Sequence, residues 1–408
     1  MTTTTIATPV QLHPRRRDSP WRRAVLQGLA QLRGGTLELE ENGHRVLLGE
    51  PGGLLARVTV RDPRFWRRVA LGGSLGAGES YADGDWEVDD LTTVVRLLVR
   101  DHSARRGLDG GLALLRRPLD LAYALLRRNS RSGARRNIAD HYDLGNDFFA
   151  LMLDPTMTYS AGVWDLPGCT LEGAQVRKLD LLCKRLRLRP EDHLLEIGTG
   201  WGSLAIHAAS RYGCRVTTTT LSQAQWELAS ERVRTAGLSD RVTLLREDYR
   251  DLRGRFDKLV SCEMIEAIGA EQYCTFFAKC AALLAPGGAL ALQAITIADQ
   301  HYERARREVD FIKRHIFPGS CIPSISALVR AAAASDLQLR QLQDHGRDYA
   351  RTLAAWRENL AAKRAAVERL TEERFRRLWH YYLCYCEGGF AEGHIGVSQL
   401  VFERPGEA

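Results

Sequence analysis

The sequence predicts an α/β fold: a doubly wound, Rossmann-like sheet carrying a helical lid insertion, with a small α+β domain ahead of it. Three observations lead there. Beyond residue 137, strands expected at 193–198, 214–220, 241–245, 257–262 and 287–295 alternate with helical segments, the pattern of βα units. The first opens a glycine turn, 193-HLLEIGTGWGSLAIHAA-209. There Leu194 to Ile197 read as a buried strand, and Leu204, Ala205, Ala208 and Ala209 recur at helical spacing. Residues 300–328 then break the alternation with a charged helix, 302-YERARREVDFIKRHI-316, and the stretch 317-FPGSCIPS-324. That is too long for a simple αβ connection, so a lid over the site is expected.

Taken in order, residues 1–20 are Thr-rich and then Arg-rich and are expected to form a disordered tail. Residues 21–101 make the small domain. Within it, 36-TLELEENGHRVLLG-49 predicts a hairpin around Asn42-Gly43, a dipeptide that accepts the positive φ of a tight turn. The stretch 72-GGSLGAGESYADGDWEV-88, rich in glycine and acids, predicts a turn-rich loop. Residues 102–136 carry nine arginines against Asp109 and Asp120, with leucine-rich turns between Arg105-Arg106, Arg116-Arg117 and Arg127-Arg128. They read as a basic helical linker. Residues 137–408 hold the main domain. After the lid, helices at 351–369 and 371–386 precede a last strand at 396–403.

A chain of 408 residues has material for one or two domains with a full core. Its net charge of +7 admits an anionic partner: nucleic acid, an acidic small molecule or a phospholipid surface. For the basic segment the readings are a membrane-surface helix, a solvated linker helix packed on a domain, or a nucleic-acid contact. The last is the weakest, because the arginines are not interleaved with stacking aromatics. No apolar stretch is long enough to span a bilayer; the best, 288-GALALQAITIA-298, is strand-like and short. No apolar run with a cleavage site accompanies Arg15 to Arg17, so a cytoplasmic protein is expected. The nine cysteines lack metal-ligand spacing, which predicts reduced thiols and no metal.

The glycine turn is the chemical focus. Gly198, Gly200 and Gly202 stand at alternate positions, where a side chain would keep a ligand from the backbone. A tight βα turn with no ligand is the alternative. Glu196, at the strand end, can accept hydrogen bonds from a cationic or hydroxylated ligand. A dinucleotide fingerprint needs its third glycine one residue later, where Ser203 stands. The spacing E-x-G-x-G-x-G instead resembles motif I of S-adenosylmethionine-dependent methyltransferases. The next strand, 214-CRVTTTTLS-222, lacks the acid that usually takes ribose hydroxyls, and leaves Thr220 and Gln225 as polar substitutes.

A closer resemblance rests on several segments in fixed order. They are 141-HYDLGNDFFALMLDPTMTYSAGVW-164, the glycine turn, 246-REDYRDL-252, 257-DKLVSCEMIEAIG-269, 311-FIKRHIFPGSCIPS-324, 346-GRDYARTLAAW-356 and 381-YYLCYCEGGF-390. Over roughly residues 70–405 the chain resembles the cyclopropane fatty acid synthase family. That resemblance implies a methyltransferase domain at 137–408 and S-adenosylmethionine as methyl donor. Tyr159 and Ser160 would sit on the methionine end of the cofactor, and Gly198, Gly200 and Gly202 would border it. Thr220 and Gln225 would take the ribose, and Asp248 with Tyr249 the adenine end.

The implied reaction adds the cofactor's methyl group, as a methylene, to the double bond of an unsaturated acyl chain in a phospholipid, and gives a cyclopropane fatty acid. An alkene is a poor nucleophile, so it must be held in line with the methyl group in a dry slot. Methyl transfer leaves a carbocation, which electron-rich rings stabilise; Tyr142 and Trp164 are the candidates. A base then removes one proton. In the family a bound bicarbonate is thought to be that base. Glu266 would hold it, with Ile295 and Tyr349 supplying the remaining matches and Gln293 able to hydrogen-bond the anion.

The chain departs from the family at Ala161, where members commonly carry Cys, and at Ala267 and Gln293, where many carry His. These departures leave other readings in view. In one, the product is a methylene- or methyl-branched chain, with a hydride shift and proton loss giving the exocyclic methylene. In another, from a different class, the protein is a catalytically decayed membrane-binding protein. A nucleic-acid methyltransferase is disfavoured, since no N-P-P-Y-type tetrapeptide or Pro-Cys nucleophile occurs in the relevant strand. The implied partner is membrane phospholipid, contacted peripherally at the inner face through residues 102–136 and the small domain. A homodimer is compatible with this.

Overall fold

The computed structural model describes residues 19–30, 32–101, 107–110 and 145–406, with isolated positions between 113 and 133. The expected N-terminal tail, most of the basic segment 102–136, and Tyr142 lie outside the described residues. The chain divides into two compact units, Met1–Tyr123 with Glu368–Glu392, and Ala124–Val367 with Gly393–Ala408.

The first unit opens with α1 (Pro20–Leu29), capped by the Ser19 hydroxyl. Its sheet has the order β2-β1-β3-β4, built from β1 (Gly35–Glu41), β2 (His44–Gly49), β3 (Leu54–Val60) and β4 (Trp86–Val88). The expected hairpin is β1–β2, with Asn42 at φ 50° and Gly43 at φ 74° in its turn. The loop expected at 72–88 is instead mostly helix: α2 runs Arg64–Ala82, kinked at Gly73, and β4 follows. Tertiary packing overrides the glycines. A Cβ on Gly73 would lie 2.5 Å from Asp109 Oδ1, and Leu75, Tyr81 and Trp86 are buried. The acids that suggested a loop are ion-paired. Asp85, fully buried, takes Arg64 and Arg68 at 3.0 Å each. Next comes α3 (Leu91–Arg100), capped by Asp90.

The second unit is the expected doubly wound α/β fold. Its seven-stranded sheet comprises β5 (His193–Ile197), β6 (Arg215–Thr219), β7 (Val242–Leu245), β8 (Phe256–Cys262), β9 (Leu284–Ile297), β10 (Gln338–Asp344) and β11 (Ile395–Glu403). The order is β10-β11-β9-β8-β5-β6-β7; β5 to β9 run parallel, while β11 and β10 pair antiparallel. From β5 the chain winds one way to β6 and β7, then returns to place β8 on the other side. The switch point therefore lies at the carboxyl ends of β5 and β8, where open α/β sheets bind ligands. Leu195 and Ile197 join one core with Phe276 and Phe277, and Leu194 joins the other with Leu204 and Val216. Such two-sided burial makes these strands continuous apolar runs.

The helices ahead of and between the strands are α4 (Asn146–Met152), α5 (Leu171–Arg185), α6 (Ser203–Tyr212), α7 (Gln223–Thr235) and α8 (Tyr273–Leu283). The insertion after β9 holds α9 (Asp299–Arg307), α10 (Phe311–His315) and α11 (Ile325–Ala332). The single charged helix expected at 302–316 is thus two, because Glu308 is extended and Asp310 caps a new start. The helix expected at 351–369 is likewise two, α12 (Gly346–Ala362) and α13 (Arg364–Leu370), parted at Lys363. The last helix, α14 (Glu373–Ala391), packs on α2 and α3 in the first unit.

Candidate active site

One cleft opens at the switch point. At its floor β5 ends in Glu196 and Ile197, and the chain turns through Gly198, Gly200 and Gly202 at φ 100°, 52° and 85°. All three lie in the left-handed region that favours glycine. Glu196 is buried, and its Oε2 accepts from Thr218 Oγ1 at 2.6 Å and Thr199 Oγ1 at 3.3 Å. Burial raises its carboxyl to about 7 against the opposing pull of the two threonine bonds and the Lys178 charge. Gly198 and Gly200 line the cleft, whereas Gly202 starts α6 and packs on Ala229.

The opposite wall is the loop 153–162. Asp154 ties it internally, accepting from Thr156 N at 2.9 Å, and Ser203 Oγ donates to the Thr156 carbonyl at 2.6 Å. That link hangs the loop over the glycine turn and brings Tyr159 and Ser160 into the cleft. The Ser160 carbonyl accepts from Gln175 Nε2 at 2.7 Å, and its hydroxyl accepts from Lys178 Nζ at 2.7 Å. Lys178, only 1% exposed, also lines the cleft. Its sequence signal is a faint one. Ala174, Lys178 and Leu182 share one face of α5 at four-residue spacing, which puts a cation on an apolar stripe.

At the end of β6, Thr220 Oγ1 donates to Gln225 Oε1 at 2.8 Å, so the Gln225 amide is left with its donor side for a ligand. Both residues line the cleft. After β7 the two residues expected at the adenine end separate. Tyr249 lines the cleft with its hydroxyl buried and unpartnered among the described residues, and burial pushes the phenol up to about 12. Asp248 is not among the lining residues. Arg250 clamps its carboxylate through Nε at 2.8 Å and Nη2 at 2.6 Å, a bidentate pair that engages both oxygens.

Behind the cleft-lining Glu263, side chains of β9 and α12 meet the end of β8, while Glu266, Gln293, Ile295 and Tyr349 do not themselves line the cleft, and the pairing differs from the expected one. Tyr349 was expected to work with Glu266. Its hydroxyl instead donates to Glu263 Oε2 at 2.7 Å. Gln293 Nε2 and the Ala161 amide donate to Glu263 Oε1 at 2.8 and 2.9 Å. Gln399 Nε2 donates to Gln293 Oε1 at 2.8 Å, which assigns the Gln293 amide its orientation. Glu266 accepts from the Ile295 amide through Oε1, and its Oε2 is buried without a partner among the described residues. Burial first, then the Glu263 charge, push the Glu266 carboxyl up to about 8; burial also raises Glu263. Glu263 lines the cleft, and its φ of 50° is left-handed for a side-chain-bearing residue. The sequence motif drew notice to Glu266 and passed over the acid three residues earlier.

Trp164 does not supply an open aromatic face. It is absent from the lining residues, its indole donates to Thr352 Oγ1 at 2.9 Å, and Arg351 covers the ring at 4.6 Å. Tyr159 lines the cleft instead, with Phe149 and Trp356 packed on it at 5.2 Å. From the insertion, Phe317, Pro318 and Ser320 also line the cleft. The Cys321 amide donates to the Glu266 carbonyl at 2.8 Å and anchors this segment at the end of β8.

Residues 129–400 match the mycolic acid cyclopropane synthetase family. The chain belongs to that family. This family member is an S-adenosylmethionine-dependent methyltransferase. It is 40% identical over 355 residues to the tuberculostearic acid methyltransferase UfaA1 of Mycobacterium tuberculosis, across 85% of this chain and 82% of that protein. It is 38% identical over 357 residues to the cyclopropane-fatty-acyl-phospholipid synthase of Escherichia coli K12, across 86% and 89%. The crystal structure of the mycolic acid cyclopropane synthase CmaA1 complexed with SAH and CTAB superposes with a TM-score of 0.63 at 31% identity, covering 66% of this chain and 98% of that one.

The cleft fits S-adenosylmethionine. A Cβ on Gly200 would project into open space, so the turn leaves room for a ligand against its backbone. The unpartnered Tyr249 hydroxyl and the Gln225 amide offer polar contacts. Bicarbonate does not fit the donors that the sequence assigned to it. Gln293 and Tyr349 converge on Glu263, and the Ile295 amide is given to Glu266. Among the described residues, no group of His, Cys, Asp and Glu is arranged to hold a metal ion, and no helix is long and apolar enough to cross a membrane.

Proposed function

We propose that the protein adds the methyl group of S-adenosylmethionine, as a methylene, to the double bond of an unsaturated acyl chain in a phospholipid, forming a cyclopropane fatty acid. The observation that carries this reading is one cleft that joins the glycine turn to the half-buried Glu263 carboxylate. The cofactor, when bound, supplies an electrophilic methyl group. The glycine turn, Thr220, Gln225 and Tyr249 hold its nucleoside; Tyr159 and Ser160 border its methionine end. Phe317 and Pro318 cover the cleft and keep water from the alkene. Tyr159, backed by Trp356, turns a ring toward the positive charge that develops on the acyl chain, an attraction of up to about 2 kcal/mol when desolvated.

A methylene- or methyl-branched product is the second reading, favoured by the 40% identity to a tuberculostearic acid methyltransferase. The cyclopropane and the methylene need the same first bond and the same final loss of a proton, and a saturated methyl branch needs a separate two-electron reductant besides. The lipid would be reached by peripheral contact with the inner face of the membrane. Lipid mass spectrometry after expression in an oleate-rich host tests the reading. Acyl chains one CH2 heavier are expected, and hydrogenation distinguishes a cyclopropane from an exocyclic methylene. Unchanged acyl chains from a folded, cofactor-binding protein would remove the reading and favour a decayed, membrane-binding one.

A further inference from the structure

Resting on that function, we propose that Glu263 is the proton acceptor of the reaction, a carboxylate built into the chain where the family resemblance calls for bound bicarbonate. Three donors from three separate segments meet on it: the Ala161 amide, Gln293 Nε2 from β9 and the Tyr349 hydroxyl from α12. Such a set recognises an oxyanion, and the side chain supplies one. The two departures at Ala161 and Gln293 then have a common account. Position 161 contributes backbone groups, its N–H to Glu263 and its carbonyl to Gln293 Nε2, so a cysteine side chain is unnecessary. Position 293 contributes an NH2 whose direction Gln399 holds, and a neutral amide donor suits a carboxylate that is already part of the chain.

The backbone carries the same mark. Glu263 sits at φ 50°, one of four side-chain-bearing residues with positive φ among those described. A strained residue is kept where the surroundings over-determine it, and such residues gather at functional sites. Here the strain directs the side chain back under Ala161. The neighbouring charges are Glu266, with its carboxyl raised, and the Lys178 ammonium, whose field favours the ionised form of Glu263. Among the described residues Oε2 accepts from Tyr349 alone, while Oε1 accepts from two donors, so Oε2 is the freer oxygen.

The step balances. The alkene π pair forms a bond to the methyl carbon as the methyl–sulfur bond breaks, which leaves the neighbouring acyl carbon positive. The Glu263 carboxylate takes one proton from the new methyl group. The freed C–H pair closes the three-membered ring onto the cationic carbon. If a hydride first moves to that carbon, the same proton loss leaves an exocyclic methylene. Glu263 returns its proton to water when the product leaves.

The full-length protein is assayed with S-adenosylmethionine and vesicles of dioleoyl phosphatidylglycerol, reading the methylated lipid. Wild type is expected to turn over equally, within twofold, in buffer stripped of carbon dioxide and in buffer with added bicarbonate. A severalfold loss on stripping, restored by bicarbonate, overturns the proposal. Glu263→Gln is expected to lose 10²- to 10⁴-fold in turnover, roughly the worth of a positioned base, with calorimetric cofactor affinity unchanged; full turnover overturns it. Glu263→Gly suits the positive φ and should fold, and added formate or bicarbonate should restore part of its activity by occupying the three donors. A purely structural Glu263 predicts no rescue in a folded, cofactor-binding variant, and that result also overturns the proposal. A wild type that methylates no unsaturated lipid under any buffer refutes the proposed function itself, a separate outcome.

Discussion

The Tyr349 hydroxyl donates to Glu263 Oε2 at 2.7 Å, although 86 residues separate the two in sequence. Tyr349, buried, stands in the first turn of α12, and the half-buried Glu263 lies just beyond β8 and lines the cleft. Tyr349→Phe removes this donor and leaves the ring packing intact. We expect turnover to fall about tenfold and stability by about 1–3 kcal/mol, the range for a buried polar group that loses its partner. Calorimetry should show unchanged cofactor affinity. A variant with normal turnover would separate Tyr349 from the chemistry.

Gly200→Val should abolish S-adenosylmethionine binding. A Cβ there meets no protein atom within 4 Å, so the added side chain enters ligand space. The φ of 52° adds a backbone cost of about 1–2 kcal/mol, which a melting curve reads separately. Tight cofactor binding by this variant would place the site elsewhere.

Glu266→Gln should flatten the pH dependence of stability. In the folded protein the Glu266 carboxyl is raised from 4.5 to about 8 by burial and by the charge of Glu263. The folded state therefore holds a proton that the unfolded chain releases. The associated stability is fully present below pH 4.5 and is lost as pH rises towards 8. Denaturant titrations of wild type at pH 5 and pH 8.5 should show this decline, and the glutamine variant should lose part of it. Identical slopes in the two proteins would contradict the raised carboxyl.

Reversing Arg116, Arg117, Arg127 and Arg128 to glutamate should weaken sedimentation with anionic vesicles. Each arginine near such a surface is worth about 1 kcal/mol, screened over a Debye length of about 10 Å at 0.1 M salt. Arg116 also pairs with Glu79 at 3.3 Å, so a melting curve must accompany the assay. Undiminished sedimentation of the folded variant would end the docking reading. Cofactor affinity should be unaffected.

Much of the fold was legible in the chain because its signals are local. Of the five parallel strands, β5 and β9 announce themselves as apolar runs, and the glycine turn declares the switch point by the φ values it needs. The edge strand β10 escaped notice. All but one of its residues are exposed, and polar residues face solvent on both sides, so no period marks it. The helix at 72–82 was hidden by the opposite failure. Its glycines and neighbouring acids read as a loop until Asp109 close to Gly73 and the arginines around Asp85 were in place.

The sequence alone determined the family, the cofactor turn and eight of the residues that line the cleft. Tyr159, Ser160, Glu196, Gly198, Gly200, Thr220, Gln225 and Tyr249 come together there as read. Only the tertiary structure decided who partners whom. Two glutamates three residues apart are indistinguishable in the segment 262-CEMIEAIG-269. The left-handed backbone at Glu263 sends one to Gln293 and Tyr349, while the other meets the Ile295 amide. Those donors lie 30 or more residues from Glu263 in the chain. Hydrogen-bond partnership depends on distances of a few ångströms, and spacing along the chain carries no record of that closeness once the chain has turned back on itself.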